Sequence, residues 1–361
     1  MPLLRLMLVL LLACAAPTAW AQSSAKPPAL KLVATIPHEQ IADMSWSVDG
    51  RHLATSGLLS IEKRILGAKI LPTIAVWEVS GKKLVKAYTK NGPYTDVTLI
   101  GTQPLVLGYL PTTPDWNGSV AFSIWDAKSG ALYRHVYGPT PIDDPHALQK
   151  NAPRSLSYSY AGNRIAAAHV GGKDIFLYNA VDGSREDIIN TDVLAHSVSL
   201  SRDGSLLAFG QQSRQIIIQL PSKQQLASFY PFDTGSSGTA WSPDGKRVAF
   251  IKNYLSGIKA SAHSDIKVYN AATGELLHDY IGDFSGAAVV GSRQTIAWSF
   301  DGRFIITSTS DGVIRLWRAD RPELLMEVLR EKGLGSAIAL SPVANLLAIA
   351  GRSSVRIYEI K

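Results

Sequence analysis

One phrase recurs along this chain. Trp46-Ser47-Val48-Asp49-Gly50-Arg51-His52-Leu53-Ala54 returns as Leu200-Ser201-Arg202-Asp203-Gly204-Ser205-Leu206-Leu207-Ala208. It returns again as Trp241-Ser242-Pro243-Asp244-Gly245-Lys246-Arg247-Val248-Ala249 and as Trp298-Ser299-Phe300-Asp301-Gly302-Arg303-Phe304-Ile305-Ile306. A unit repeated every roughly 40–50 residues limits the chain to arrays of one supersecondary unit, closed into a ring or stacked as a solenoid.

The unit is made of strands. Apolar residues alternate on both sides of Ser-x-Asp-Gly, the mark of two short strands joined by a tight turn. Asp and Gly suit such a turn because both tolerate backbone angles that other residues resist. A second phrase follows each time, as in Ile74-Ala75-Val76-Trp77, Ile266-Lys267-Val268-Tyr269 and Ile314-Arg315-Leu316-Trp317. Trp or Tyr holds the same place in six of the seven such segments, the exception being Ile216-Ile217-Ile218-Gln219. Turns such as Ser80-Gly81, Asp182-Gly183 and Thr273-Gly274 then lead to a fourth strand, for example Glu275-Leu276-Leu277-His278-Asp279-Tyr280. No stretch of helical period separates the strands, so parallel βαβ units are excluded.

These features predict an all-β fold, a seven-bladed β-propeller of four-stranded antiparallel blades. The last blade runs out of chain after its third strand, and Leu30-Lys31-Leu32-Val33-Ala34-Thr35 is expected to supply the fourth. That pairing closes the ring and removes free sheet edges. On the quoted residues the chain resembles the WD40 repeat family, best at residues 296–319, where Ser310-Asp311-Gly312-Val313-Ile314-Arg315-Leu316-Trp317 nearly matches the family pattern. The resemblance extends over most of residues 30–361. It implies a propeller that binds protein partners, and a buried histidine near the positions of His38 and His196. The Gly-His pair that usually opens such a repeat is missing, and the Asp of the family's buried network is clear only at Asp311. Residues 241–252 also resemble the periplasmic TolB-type propeller repeat.

Residues 1–21 read as a secretory signal: Arg5, an apolar run at residues 6–13, Pro17, and Ala19-Trp20-Ala21 as cleavage site. The run is too short to span a membrane. Leu11-Leu12-Ala13-Cys14 also resembles a lipobox, which would make Cys14 a lipidated residue. Residues 22–29 read as a flexible leader and residues 30–361 as the propeller. These ends imply an exported, periplasmic protein, or in the alternative a lipoprotein anchored through Cys14. Cys14 is the only cysteine, so disulfides, thiolate catalysis and cysteine metal ligands are not expected after cleavage. The formal charge of +7 is spread without long runs, which permits contact with anionic surfaces and gives no nucleic-acid groove.

In a four-stranded antiparallel blade, the first–second and third–fourth connections share one rim; the others share the opposite rim. Here the first set is tight, and the second carries the insertions at residues 56–72, 110–119, 137–153, 251–264 and 282–294. Loops on a rigid scaffold tend to carry function, so a protein partner in the envelope is expected on this loop rim. Leu58, Leu59 and Ile65 with Lys63 and Arg64 form an apolar, charge-punctuated stretch that reads either as a hairpin or short helix over the neighbouring blade or as a contact patch. Trp116, among prolines, and Tyr254 are further contact candidates. Asp143, Asp144 and His146 are weak metal candidates, and on them rests the alternative of a metal-assisted hydrolase or lactonase with an axial pocket on the same rim. His169 and His263 also belong to this rim. No nucleophile elbow, phosphate-cradling glycine loop or His-Glu-x-x-His occurs, so no cofactor and no catalytic residue is expected.

Overall fold

A computed structural model of the protein describes residues 28–64, 67–89, 97–100, 105–108, 120–126, 128–129, 131–139, 146, 150–151, 153–159, 161–170, 172–211, 213–231, 236–252, 264–281, 295–308, 313–330, 337–351 and 353–361. Its strands pair into seven four-stranded sheets. The first holds β2–β5 (Glu39–Trp46, His52–Arg64, Gly67–Glu78, Lys83–Thr89) and the second β6–β9 (Val97–Ile100, Leu105–Gly108, Val120–Asp126, Leu132–Tyr137). The third holds β10–β13 (Pro153–Ser159, Arg164–His169, Ile175–Asn179, Arg185–Ile189) and the fourth β14–β17 (Ser197–Leu200, Leu206–Gln211, Arg214–Gln219, Gln225–Phe229). The fifth holds β18–β21 (Ser236–Trp241, Arg247–Lys252, Ser264–Asn270, Leu276–Ile281) and the sixth β22–β25 (Thr295–Trp298, Phe304–Ser308, Val313–Arg318, Leu324–Arg330). In the last, β26–β28 (Ile338–Leu340, Leu346–Ala350, Ser354–Ile360) are joined by β1 (Leu30–Pro37). The architecture is an all-β propeller with four-stranded antiparallel blades. The signal, Cys14 and most of the leader lie outside the described residues, while Ala29 exchanges backbone hydrogen bonds with Lys361.

Burial explains the apolar patterning. The second and third strands of a blade are covered on both faces by neighbouring blades, and such strands become nearly continuous apolar runs. Phe304–Ser308 is buried at every position, as is Ile175–Tyr178. The outer strands keep polar residues on exposed positions, as in Arg185–Ile189.

The core lies between blades. Ala54, Ile74 and Val76 of the first sheet pack on Val97, Leu99 and Trp125 of the second. Phe122 of the second packs on Tyr178 of the third, ring centroids 5.4 Å apart and edge to face. Further clusters join the third sheet to the fourth, the fourth to the fifth, the fifth to the sixth, and the sixth to the sheet of β26–β28. Ala34, Ile36, Ala339 and Ile357 then meet Met44, Trp46 and Trp77 of the first sheet.

Tryptophans of the repeated phrase reinforce these contacts. The indole N–H of Trp241 donates to the Ser199 carbonyl (2.9 Å), and that of Trp298 to the Ala240 carbonyl (3.1 Å), each one blade back. By the same rule Trp46 donates to the carbonyl of Ala339 (3.1 Å), linking the first sheet to the sheet of β1 and β26–β28. A buried N–H that finds a carbonyl avoids the cost of desolvation without a partner.

Candidate functional site

The Ser-x-Asp-Gly phrase builds one rim. In each of its four copies the Ser hydroxyl donates to the Asp carboxylate two residues on, at 2.6 Å (Ser47–Asp49, Ser201–Asp203), 2.5 Å (Ser242–Asp244) and 2.7 Å (Ser299–Asp301). The same Ser oxygen accepts the N–H that opens the next strand, as from His52 and Arg247 (2.9 Å each). Gly50, Gly204, Gly245 and Gly302 take φ between +67° and +73°, the left-handed region that a side chain disfavours. All four carboxyls stay below the usual range. At Asp203 the Ser201 hydroxyl is the main cause, while at Asp49, Asp244 and Asp301 burial opposes the shift and hydrogen bonds with nearby cations outweigh it.

Neighbouring turns lock together. Ala161 N–H donates to the Arg202 carbonyl (2.9 Å), and Asn345 brackets Asp301 through its side-chain amide, donating to the carboxylate at 2.7 Å. The x residues Arg202, Pro243 and Phe300, with Pro342 in the equivalent place, surround an axial cavity of about 280 Å³. Its walls come from first strands of successive blades, including Tyr158, Trp241 and Trp298. This cavity lies on the plain rim, whereas the insertions, where an axial pocket is expected from the sequence, fall mostly outside the described residues. The first and third residues of the phrase line the opening, an orientation that strand periodicity alone leaves open.

On the loop rim, β3 and β4 outgrow their blade. They pair from His52↔Glu78 out to Arg64↔Gly67, with Leu58 opposite Pro72, Leu59 opposite Leu71 and Lys63 opposite Ala68. β2 pairs with β3 as far as Leu58 and β5 with β4 as far as Thr73, so beyond these, among the described residues, the hairpin is a two-stranded ribbon. The backbone of this stretch forms a hairpin and not a short helix. Ile65, Trp116 and Tyr254 lie outside the described residues, as do Asp143, Asp144 and His263. His146 is exposed. Among the described residues no group of three or more potential metal ligands comes together.

Buried histidines serve the scaffold. His38 sits between β1 and β2, its Nδ1 2.6 Å from the Thr55 hydroxyl, which also accepts the Trp77 indole N–H at 2.9 Å. Trp317 donates to Thr307 in the same way (2.9 Å). His169 pairs through Nδ1 with the Asn151 carbonyl (2.8 Å), and its Nε2 lies 3.5 Å from the Tyr178 hydroxyl. Burial lowers the pKa of both His38 and His169 to about 4; at His169 the Asn151 bond opposes part of the fall. His196 departs from expectation and is exposed. Its N–H donates to the Gly210 carbonyl, which puts it in strand register between buried Ala195 and Ser197, and strand alternation turns it outward.

Sequence comparison agrees with this geometry. Residues 280–318 match the family described as WD domain, G-beta repeat. The matched segment runs from the outer strand of one blade, β21, through the first three strands of the next, ending at Arg318 of β24. None of the curated proteins compared with the chain gives a significant match. The fold and the matched repeat together define a β-propeller bearing a WD40 repeat, a class consistent with protein-interaction scaffolds and usually non-catalytic.

Proposed function

We propose that this protein is a non-catalytic interaction scaffold of the bacterial cell envelope. In this reading it is a seven-bladed ring, closed by β1, that holds a protein partner on its loop rim. The single observation that carries the reading is the β3–β4 ribbon, which leaves its blade at Leu58 and continues to Arg64 and Gly67. A two-stranded ribbon is marginal on its own, and its edges, unpaired among the described residues, and apolar sequence suit a contact with another protein. Leu58, Leu59, Lys63, Arg64 and Ile65 form this contact, with Trp116 and Tyr254, outside the described residues, as further candidate anchors. Export through residues 1–21 places the partner in the periplasm; acylation at Cys14 would instead tether the ring to a membrane. The intact mass of the mature N-terminus separates these two routes.

The test is to replace residues 60–70 by an Asn-Gly turn and to measure both thermal stability and capture of partners from envelope extract. The shortened protein is expected to melt within about 3 °C of the parent, since flanking strands do not cover the ribbon. Capture is expected to fall at least tenfold. Full capture by the shortened protein would remove the ribbon as the contact.

A further inference from the structure

The axial cavity of the turn rim plays no part in the reading above, and its chemistry is one-sided. Trp241, Trp298, Phe300 and Tyr158 supply ring surface to its walls, and Pro243 adds an aliphatic ring. The two indole N–H groups are already committed to carbonyls one blade back, so these tryptophans add apolar ring atoms to the lining. Trp298 is buried and carries the Arg247 guanidinium over its ring at 4.7 Å, so Trp241 and Phe300 supply the more open ring surface. Phe300 is 39% exposed, more than an aromatic residue in a covered turn. Among the described residues, Arg202 is the one charged residue in the lining, and no carboxylate lines the cavity. The nearest acids point into their own turns: Asp203 is held by Ser201 and Ser205, and Asp244 by Ser242. Arg202 therefore has no ion pair among the described residues. Thr239, on the same wall, carries a buried hydroxyl without a hydrogen-bond partner.

We propose that this cavity binds a small apolar carboxylate. Its ring or branched chain sits against Trp241, Trp298 and Phe300, and its carboxylate pairs with Arg202. Guanidinium suits that task because its planar fork matches a carboxylate. At about 280 Å³ the space falls at the lower end of ligand pockets. It takes one ring-bearing unit, either a free aromatic acid or the C-terminal residue of a peptide. The locked turns around it are preorganised, which spares the cost of ordering the site on binding. The inference is independent of the loop-rim contact, because ribbon and cavity lie on opposite rims.

The test is calorimetric titration with three probes: hydrocinnamate, N-acetylphenylalanine and N-acetylphenylalaninamide. Both acids are expected to bind, and the uncharged amide at least tenfold more weakly than the acid of the same shape. Arg202→Ala, at an exposed position, should bring the acids down to the level of the amide while the melting temperature stays unchanged. Phe300→Ala should weaken all three. Absence of binding by both acids, or equal binding of N-acetylphenylalanine and its amide to the parent protein, would overturn the proposal. Tighter binding of N-acetylphenylalanine than of hydrocinnamate identifies a peptide end as the source, and the reverse order identifies a free acid.

Discussion

At the scale of single residues, His38 and His169 couple the fold to pH. Burial keeps both neutral, with pKa about 4 against an ordinary 6.5. The unfolded chain takes up protons first as pH falls, so stability is complete above pH 6.5 and is lost between 6.5 and 4. Each histidine costs about 1.4 kcal/mol per pH unit well inside that window, or about 4 kcal/mol for the pair at pH 5. The depressed turn aspartates have the same sign but act lower, because their stabilising contribution is lost only below the ordinary carboxylate range. Melting curves at pH 7.5, 6 and 5 should therefore show a steep drop above the range in which the turn aspartates titrate. A flat melting temperature across that range would contradict the buried, neutral assignment.

At the scale of elements, the Ser-x-Asp-Gly turn is the most constrained piece of the molecule. Gly50 has φ of +67°, and a Cβ there would lie 2.3 Å from the Val343 side chain of the adjacent blade. Gly50→Ala should combine left-handed strain of about 1–2 kcal/mol with a steric clash between blades. Gly245 has similar φ and open space around its Cβ position. Gly245→Ala should show the backbone cost alone, and denaturant melts of the two variants separate the contributions. Turns and third strands were legible in sequence because each is dictated locally: Asp-Gly fixes a turn, and Ile-x-Val-Trp alternates along a strand. The ribbon was legible only in part, because Leu58, Leu59 and Ile65 among charges fit a hairpin or a short helix, and only pairing with residues 67–72 decides. The cavity was not, since Tyr158, Trp241 and Trp298 converge from blades far apart in sequence. His38 and His196 looked alike in sequence and part company through register, which no local pattern specifies.

At the scale of the whole molecule, β1, the first described strand of the chain, joins the C-terminal sheet. It pairs with β28 from Leu30↔Ile360 to Pro37↔Ser354, and both strands contribute to the cluster that meets the first sheet. Ile36 is fully buried there, beside Val355, Ile357 and Trp46. Removing residues 30–37 would expose this cluster and leave β28 as an open edge, a template for any extended chain. The loss exceeds that of a single core truncation, for which Ile36→Ala gives the scale, about 2–5 kcal/mol. The shortened protein should melt far below the parent and tend to associate, while Ile36→Ala should unfold cooperatively at an intermediate temperature. A synthetic peptide of residues 29–37 supplied in trans should restore much of the lost stability in a concentration-dependent manner, because it binds only the folded ring. If the truncated protein melts like the parent, β1 contributes nothing to closure; if it melts low and the peptide fails to rescue it, the segment acts only when tethered through the first blade.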